Sequence, residues 1–434
     1  MLLKKVKKKT FKVGIIGLGY VGLPRSIQFC KKNIQVYGID TDQSKTEILK
    51  KGKSYITNVK NNEIAKNIKR KLLIPTSDFS CINKLDVIII CVPTPLDKKL
   101  KPNLNFIKNT FTRIKNFLRK DQLVCLESTS YPGTTYETII TNLINKFNLG
   151  KNFYIGYSPE RNDPGIKDIY INDIPKLVSG YTKSCLEITE NVYKIIFKKT
   201  VRVKNIRLAE MTKLYENIYR AINIGFVNEM KKVCTKMNLD IDEIIKAAKT
   251  KPFGFKAFYP GPGLGGHCIP VDPFYLTWKA KEYNVKTEFI NLAGKVNRSI
   301  PDWVVNQLKF HLKNKKNINS LKKKKILILG IAYKKNINDC RESPAFEIIK
   351  ILEKSKSIVD YSDPYFDTMP KLRNYKFKFR KSIVLKPSII KQYDATILVT
   401  DHDKFDYKLI SKNSKLILDT RHVFDKKNKK IIYC

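Results

Sequence analysis

Short apolar runs alternate with helix-length mixed stretches up to about residue 205. The runs are Val13-Gly14-Ile15-Ile16-Gly17, Val36-Tyr37-Gly38-Ile39-Asp40, Val87 to Val92 and Leu123 to Leu126. Strands separated by helices predict parallel β-α-β units, with the first strand expected almost at once, at Phe11. From about 206 to 310 the period changes. Leu208, Met211, Leu214, Tyr215, Ile218, Ile222, Phe226 and Met230 recur mostly at three- and four-residue steps, the stripe of a long amphipathic helix. Beyond about 320 the alternation returns, with strands expected at Lys325 to Leu329, Ala395 to Thr400 and Leu416 to Leu418. The expected fold class is α/β, divided as 1–205, 206–310 and 311–434. No tandem repeat is visible, although the two α/β regions could be copies of one architecture.

No apolar run approaches the roughly 18 to 20 residues of a membrane span. Met1 to Thr10 is basic but lacks the apolar stretch of a secretory signal. A chain of 434 residues with 42% hydrophobic and 11% aromatic side chains can fill more than one core. Nine scattered cysteines (30, 81, 91, 125, 185, 234, 268, 340 and 434) form no C-x-x-C pair, which suits reduced thiols and a cytoplasmic location. Four histidines, spread thinly, argue against a zinc site, and no metal is expected.

Charge adds a question. Lys and Arg number 84 against 39 Asp and Glu, a difference of +45, which invites a nucleic-acid reading. The lysines run through the whole chain alongside many Ile and Asn, as AT-rich coding would distribute them. The densest run, Lys322 to Lys325, precedes a strand and reads as a solvated loop. Neither a nucleic-acid nor a membrane partner is expected, while anionic small molecules would gain from the positive field.

Two segments carry chemistry. Gly17-Leu18-Gly19-Tyr20-Val21-Gly22 follows a buried strand and opens a helix near Leu23-Pro24. Gly17 permits a tight turn, Gly19 lets backbone approach a pyrophosphate, and Gly22 allows close helix packing, with the helix N-terminus aimed at the phosphates. Asp40 closes the second strand, where a carboxylate can accept from an adenosine ribose and repel a 2′-phosphate; the expected cofactor is NAD. A glycine-rich turn without a ligand is the alternative, and Asp40 weighs against it. The second segment runs from Lys251-Pro252-Phe253-Gly254-Phe255 through Tyr259-Pro260-Gly261-Pro262-Gly263-Leu264-Gly265-Gly266-His267-Cys268 to Asp272-Pro273. Such a loop exposes backbone to a ligand, and a cysteine in it is a candidate nucleophile toward an aldehyde. A structural loop cysteine is the competing reading, and adjacent His267 is at best a positioning residue.

These segments, with others in fixed order, resemble the UDP-glucose/UDP-N-acetylhexosamine 6-dehydrogenases of the UDP-glucose/GDP-mannose dehydrogenase superfamily. The others are Cys91-Val92-Pro93-Thr94-Pro95-Leu96, Glu127-Ser128-Thr129, Pro132-Gly133-Thr134, Tyr157-Ser158-Pro159-Glu160-Arg161, Glu210-Met211-Thr212-Lys213, Glu216-Asn217, Asn223, Asn228-Glu229, Gly330 to Lys335, Asp339 and Arg341-Glu342-Ser343-Pro344. The resemblance implies two Rossmann-like doubly wound domains joined by a long central helix, with a helical dimerisation region and a homodimer. The third region becomes the UDP-sugar domain; Gly330-Ile331-Ala332 lacks a full GxGxxG, so it need not hold a second dinucleotide. The implied reaction is a four-electron oxidation of the C6 alcohol of a UDP-hexose, consuming two NAD, through a thiohemiacetal and thioester on Cys268. Lys-Pro-Phe-Gly-Phe and Phe274 to Ala280 are similar to the UDP-N-acetylglucosamine branch, with UDP-N-acetylmannosamine, UDP-N-acetylgalactosamine and UDP-glucose as alternatives. Supply of surface polysaccharide precursors is the expected role.

The resemblance also supplies roles. Lys213 and Asn217, four apart on one helix, would stabilise the oxyanion, and a solvated helix face is the alternative for Lys213. Asp272 resembles a carboxylate that organises the hydrolytic water, or else a cap. Thr129 and Glu160 match polar positions near substrate and water. The remaining cofactor positions are Tyr20, Val21, Pro93, Thr94 and Arg341. The remaining substrate positions are Arg161, Phe255, Tyr259, Gly265 and Lys335, with a structural salt bridge as the alternative for Lys335 and Arg341. UDP-glucose members commonly carry a second carboxylate four residues after the position of Glu160; here that position is Pro164, and Asp163 is not assigned in its place. A two-electron dehydrogenase and a non-enzymatic basic nucleotide-binding protein are the rival functions.

Overall fold

The structure is a computed structural model that describes residues 1–56, 59–97, 99–161, 171–266, 269–316, 320–372 and 375–434. The chain divides into two compact units, Met1–Glu216 with Phe274–Lys286, and Asn217–Pro273 with Thr287–Cys434. The first unit is built on β1 (Val13–Ile16), β2 (Val36–Ile39), β3 (Leu73–Thr76), β4 (Val87–Ile90), β5 (Leu123–Leu126), β6 (Tyr154–Tyr157), β7 (Lys176–Gly180) and β8 (Thr200–Arg202). Their order in the sheet is β3-β2-β1-β4-β5-β6-β7-β8. The order reverses between β1 and β4, the place where open α/β sheets take ligands. All pairs are parallel except β6 with β7, a departure from the wholly parallel expectation.

Near-continuous burial explains the run-like sequence of these strands, since helices cover both faces. The core joins Val13, Ile15, Val36, Val87, Ile89, Leu123 and Cys125 to Leu23, Ile27 and Phe29 of the helix Gly22–Cys30. The basic N-terminus is a correction: Leu2–Lys7 is a helix, and the first strand starts at Val13 instead of Phe11. Leu2 and Val6 stand one turn apart and bury in the same core, which outweighs the lysines between them.

The second unit carries β9 (Lys325–Leu329), β10 (Ile358–Ser362), β11 (Ala395–Leu398), β12 (Ile417–Asp419) and β13 (Ile431–Tyr433), ordered β10-β9-β11-β12-β13 and all parallel. β9 thus sits between its sequence neighbour and a later strand, as β1 does. The sequence reading placed no strand at β10 or β13.

The helix Ile206–Met237 runs from the first unit into the second. Its apolar residues do not form one buried stripe. Leu214, Ile218, Ala221, Val227 and Cys234 are buried, whereas Leu208, Tyr215, Tyr219, Phe226, Val233 and Met237 are exposed, Tyr215 at 69% and Phe226 at 59%. Among the described residues, no helix is long and apolar enough to cross a membrane.

Candidate active site

The glycine loop after β1 has the geometry its sequence predicts. Gly17 takes φ +92°, and a Cβ there would lie 2.8 Å from the Cys91 carbonyl oxygen. A Cβ on Gly22 would lie 1.9 Å from the Gly17 carbonyl oxygen, so helix and turn close only on hydrogen. Gly19 differs: nothing stands within 4 Å of a Cβ built there, and its backbone borders open space. Asp40 follows β2, and its Oδ2 accepts from the Leu18 N–H at 2.9 Å while Oδ1 accepts from the Asp42 N–H at 3.0 Å. The Lys45 ammonium also donates to Oδ2 at 3.3 Å, so it is Oδ1 that keeps a lone pair for a further donor. Tyr20 and Val21 are half-buried beside this loop. Pro93 is exposed, and Thr94 is buried with its carbonyl accepting from the Tyr275 hydroxyl at 2.6 Å.

After β5 the chain turns through Thr129, half-buried, and Ser128, whose hydroxyl donates to the Val92 carbonyl at 2.7 Å. Glu210 of the central helix holds the end of this turn. Its carboxylate accepts from the Gly133 N–H at 2.6 Å, the Thr135 N–H at 2.9 Å and the Thr135 hydroxyl at 2.7 Å. Burial pushes the Glu210 carboxyl up to about 7 against the pull of these three donors.

Glu160 follows β6 and joins a buried charge cluster. The Arg25 guanidinium and the Lys176 ammonium both contact Glu160 Oε2, Lys176 at 3.1 Å. On the other side Arg25 meets Glu127 at 3.1 Å and Lys176 meets it at 3.4 Å, while the Tyr193 hydroxyl donates to Glu127 at 2.5 Å. Burial opposes the Arg25 charge, but Glu127 and Glu160 together raise its pKa above the ordinary guanidinium value. Arg161 turns away from this cluster to pair with Glu216 at 2.7 Å.

On the central helix the Lys213 side chain is buried, and among the described residues no acceptor bonds its ammonium. One turn on, Asn217 is fully buried and donates to Asp272 Oδ2 at 2.5 Å, which brings together two residues 55 apart in sequence. Asp272 is the first residue of the helix Asp272–Ala280, with its carboxylate held by Asn217. Further along, Asn228 accepts from the Gly261 N–H at 3.0 Å and Lys231 donates to the Gly261 carbonyl at 3.2 Å. Burial brings Lys231 down to about 8. Gly265 faces Tyr333 and Pro344, and the Gly266 N–H donates to the Arg341 carbonyl at 2.9 Å. Phe255 and Tyr259 are exposed. His267, Cys268, Asp163 and Pro164 lie outside the described residues.

The loop after β9 repeats the first unit's device. Gly330 takes φ +81°, and Asp363 after β10 accepts from the Ile331 N–H at 2.7 Å, as Asp40 accepts from Leu18. Here the same oxygen also meets Ala332 and the buried His402. Lys335 pairs with Asp403 at 2.6 Å and Arg341 with Asp339 at 2.6 Å, the salt bridges that the sequence left open for each.

Residues 11–197 match the NAD binding domain of the UDP-glucose/GDP-mannose dehydrogenase family, 207–299 its central domain and 327–426 its UDP binding domain. The chain belongs to this family. A UDP-N-acetyl-D-glucosamine 6-dehydrogenase of Pseudomonas aeruginosa is 32% identical over 96% of this chain and 98% of its own. A UDP-N-acetyl-D-mannosamine dehydrogenase of Methanococcus vannielii is 30% identical over 97% and 95%. Among solved structures, a UDP-D-ManNAc dehydrogenase from Pyrococcus horikoshii superposes with a TM-score of 0.85 at 28% identity, over 97% of this chain and 98% of that one.

The protein is therefore an NAD-dependent nucleotide-sugar dehydrogenase, and the residues of the β1 loop fit the cofactor. The open space at Gly19 admits a pyrophosphate against backbone, and Asp40 stands at the strand end where a ribose would reach it. Sequence reading did not single out Arg25, Lys176 and Tyr193, and met Glu127 only as part of a motif. One signal was available for Arg25. It shares a helix face with Gly22, Ser26 and Phe29, and a charge on a buried face needs a partner. Nothing local marks Lys176, a lysine opening a strand.

Proposed function

We propose that this dehydrogenase oxidises the C6 alcohol of a UDP-N-acetylhexosamine, foremost UDP-N-acetylglucosamine, to the carboxylate through a covalent intermediate on Cys268. The observation that carries this reading is Lys213, whose largely buried side chain meets no acceptor among the described residues, one turn from the buried Asn217–Asp272 pair. An unpaired buried cation is costly unless a ligand completes it. A developing alkoxide on a substrate carbon is such a ligand.

NAD bound in the glycine cradle supplies the hydride acceptor, two equivalents serving the four-electron change. Lys213 and Asn217 donate to the oxyanion at C6. The Cys268 sulfur adds to the aldehyde carbon, which keeps the aldehyde from leaving; the second oxidation leaves a thioester, and water releases the acid. Thr129, Glu160 and Asp272 orient substrate and water. The Asn217 amide fixes Asp272, so one hydrogen bond ties the oxyanion donor to the carboxylate that faces the water.

UDP-N-acetylmannosamine is the second reading, since relatives named for either epimer share about the same fraction of residues with this chain. A homodimer is part of the proposal, supported by the exposed Tyr215, Phe226 and Met237 on the central helix. So is action in the cytoplasm to supply polysaccharide precursors; the described cysteines are free. Purified protein with NAD and a panel of UDP-sugars, read at the NADH band, ranks the substrates. Cys268→Ser should lose acid formation by at least about 1000-fold, the scale of removing a catalytic nucleophile, with both ligands still bound. Wild-type acid formation by that variant would overturn the thioester.

A further inference from the structure

The glycine-rich loop of the second unit enters the interior at Gly261. Residues 251–256 are exposed, Ala257 and Phe258 are half-buried against Val227, Cys234, Ile241 and Ile245, and residues 260–262 are buried. There two side chains of the central helix grip the backbone of one residue. Asn228 accepts from the Gly261 N–H at 3.0 Å, and Lys231 donates to the Gly261 carbonyl at 3.2 Å. The two stand three apart on one helix face and are 0% and 1% exposed. The Asn228 amide nitrogen donates to Asn297 at 3.4 Å, and Asn297 donates to the Ala221 carbonyl at 2.9 Å, which keeps the Asn228 oxygen turned to the loop. Arg421 backs the loop closely: a Cβ on Gly261 would lie 3.0 Å from its Nη1.

Lys231 is the unusual member of this grip. Its ammonium has three donors, yet it meets the one carbonyl and the face of Trp303, 4.7 Å from the ring centre. Among the described residues no carboxylate pairs with it. A cation buried in this way costs stability, and an apolar side chain of similar length would fill the space without that cost. Packing alone therefore does not account for Lys231, whereas its contact with the loop backbone does. Burial, with Arg421 and Lys232 nearby, lowers its pKa to about 8 against the pull of Cys434 and Asp242.

We propose that Asn228 and Lys231 are positioning residues, which by gripping Gly261 fix the glycine-rich loop in the conformation that turnover requires. This rests on the role proposed above for Cys268, seven residues further along the chain, and adds the helix residues that hold the segment leading to it. A second anchor lies at Gly266, whose N–H donates to the Arg341 carbonyl at 2.9 Å. Together the two anchors pin both ends of the stretch from Pro262 to Gly265. With the Gly261 end released, that stretch would pivot about the other.

The experiment uses the full chain with NAD and the UDP-sugar that turns over fastest, together with backbone hydrogen exchange of the peptide 257–266. Lys231→Met is close in size and removes an unpaired buried charge, so its unfolding midpoint should stay within a few degrees of the wild type. Exchange in the peptide should quicken about 5-fold or more, the equivalent of one lost hydrogen bond. The value of kcat should fall on the order of 10- to 100-fold, the scale of a small misplacement at a reacting group, with the KM for NAD unchanged. The ratio of wild-type to Lys231→Met kcat should shrink as pH rises from about 7 to about 9.5, because the neutral amine is the weaker donor. Asn228→Ala should give the same faster exchange and lower kcat, and it carries the comparison should Lys231→Met fail to fold. Faster exchange with wild-type kcat overturns the proposal, as does exchange unchanged in both variants. A ratio constant with pH removes the ammonium from it. Wild-type acid formation by Cys268→Ser would remove the reading of Cys268 instead, while the exchange rates still decide whether the helix holds the loop.

Discussion

Glu210 shows how one buried carboxyl ties two parts of the site together. It accepts three hydrogen bonds from the turn that follows Thr129 and stands one turn before Lys213. Its pKa rises from 4.5 to about 7 because burial outweighs those donors. The folded protein therefore binds a proton that the unfolded chain has lost between these values, and stability falls as pH rises through that window. The effect is at most on the order of 3 kcal/mol. Unfolding midpoints measured from pH 5 to pH 8 should decline in the wild type. Glu210→Gln should flatten that slope while lowering stability throughout, because its amide nitrogen cannot accept from the Gly133 or Thr135 N–H. A slope unchanged in the variant would show that Glu210 does not titrate there. At this scale the sequence marked Lys213, Asn217 and Asp272, yet it held no sign that Asn217 and Asp272 would bond. Glu210 was visible only as a neighbour of Lys213, because two contacts to backbone N–H groups and one to a hydroxyl 75 residues away have no sequence signature.

The central helix Ile206–Met237 presents two apolar faces, and periodicity alone merged them. Leu214, Ile218, Val227 and Cys234 are buried; Leu208, Tyr215, Phe226 and Met237 are exposed. With the exposed Tyr219 and Val233 included, the second face runs in steps of seven, four, seven, seven and four, those of a helix meeting another helix. In the proposed homodimer, Phe226→Glu should therefore shift sedimentation toward single chains, weakening association by about 30-fold or more, the scale of a buried aromatic anchor. Its unfolding midpoint at low concentration should stay near that of the unassociated wild type. An undiminished dimer would place the interface elsewhere. The helix was legible in the sequence because a 3.6-residue period is local. Its covered face was not, since that depends on what the remainder of the chain packs against it.

For the whole molecule, a net charge of +45 accompanies binding domains for two ligands that each carry a pyrophosphate. Such a field raises encounter rates and weakens with salt. The value of kcat/KM for the UDP-sugar should fall several-fold as ionic strength rises from low to about half molar, with kcat changing less. A flat profile would mean that the lysines contribute solubility and no steering. The charge count was plain from composition. Its consequence for function became definite only with the family assignment, which supplied the charge of the ligands.

What the sequence determined by itself is whatever a short stretch of backbone requires. The turn at Gly17, the closure at Gly22 and the acid at the end of β2 follow from local sterics, and the apolar runs from burial on both sheet faces. The tertiary structure alone decided which distant charges meet. Arg25 reaches Glu160 across 135 residues and Asn217 reaches Asp272 across 55, because strand order and helix docking bring them together. A lysine or arginine reads the same in sequence whether it is solvated or buried against a carboxylate. The difference lies in long-range neighbours, which periodicity does not encode.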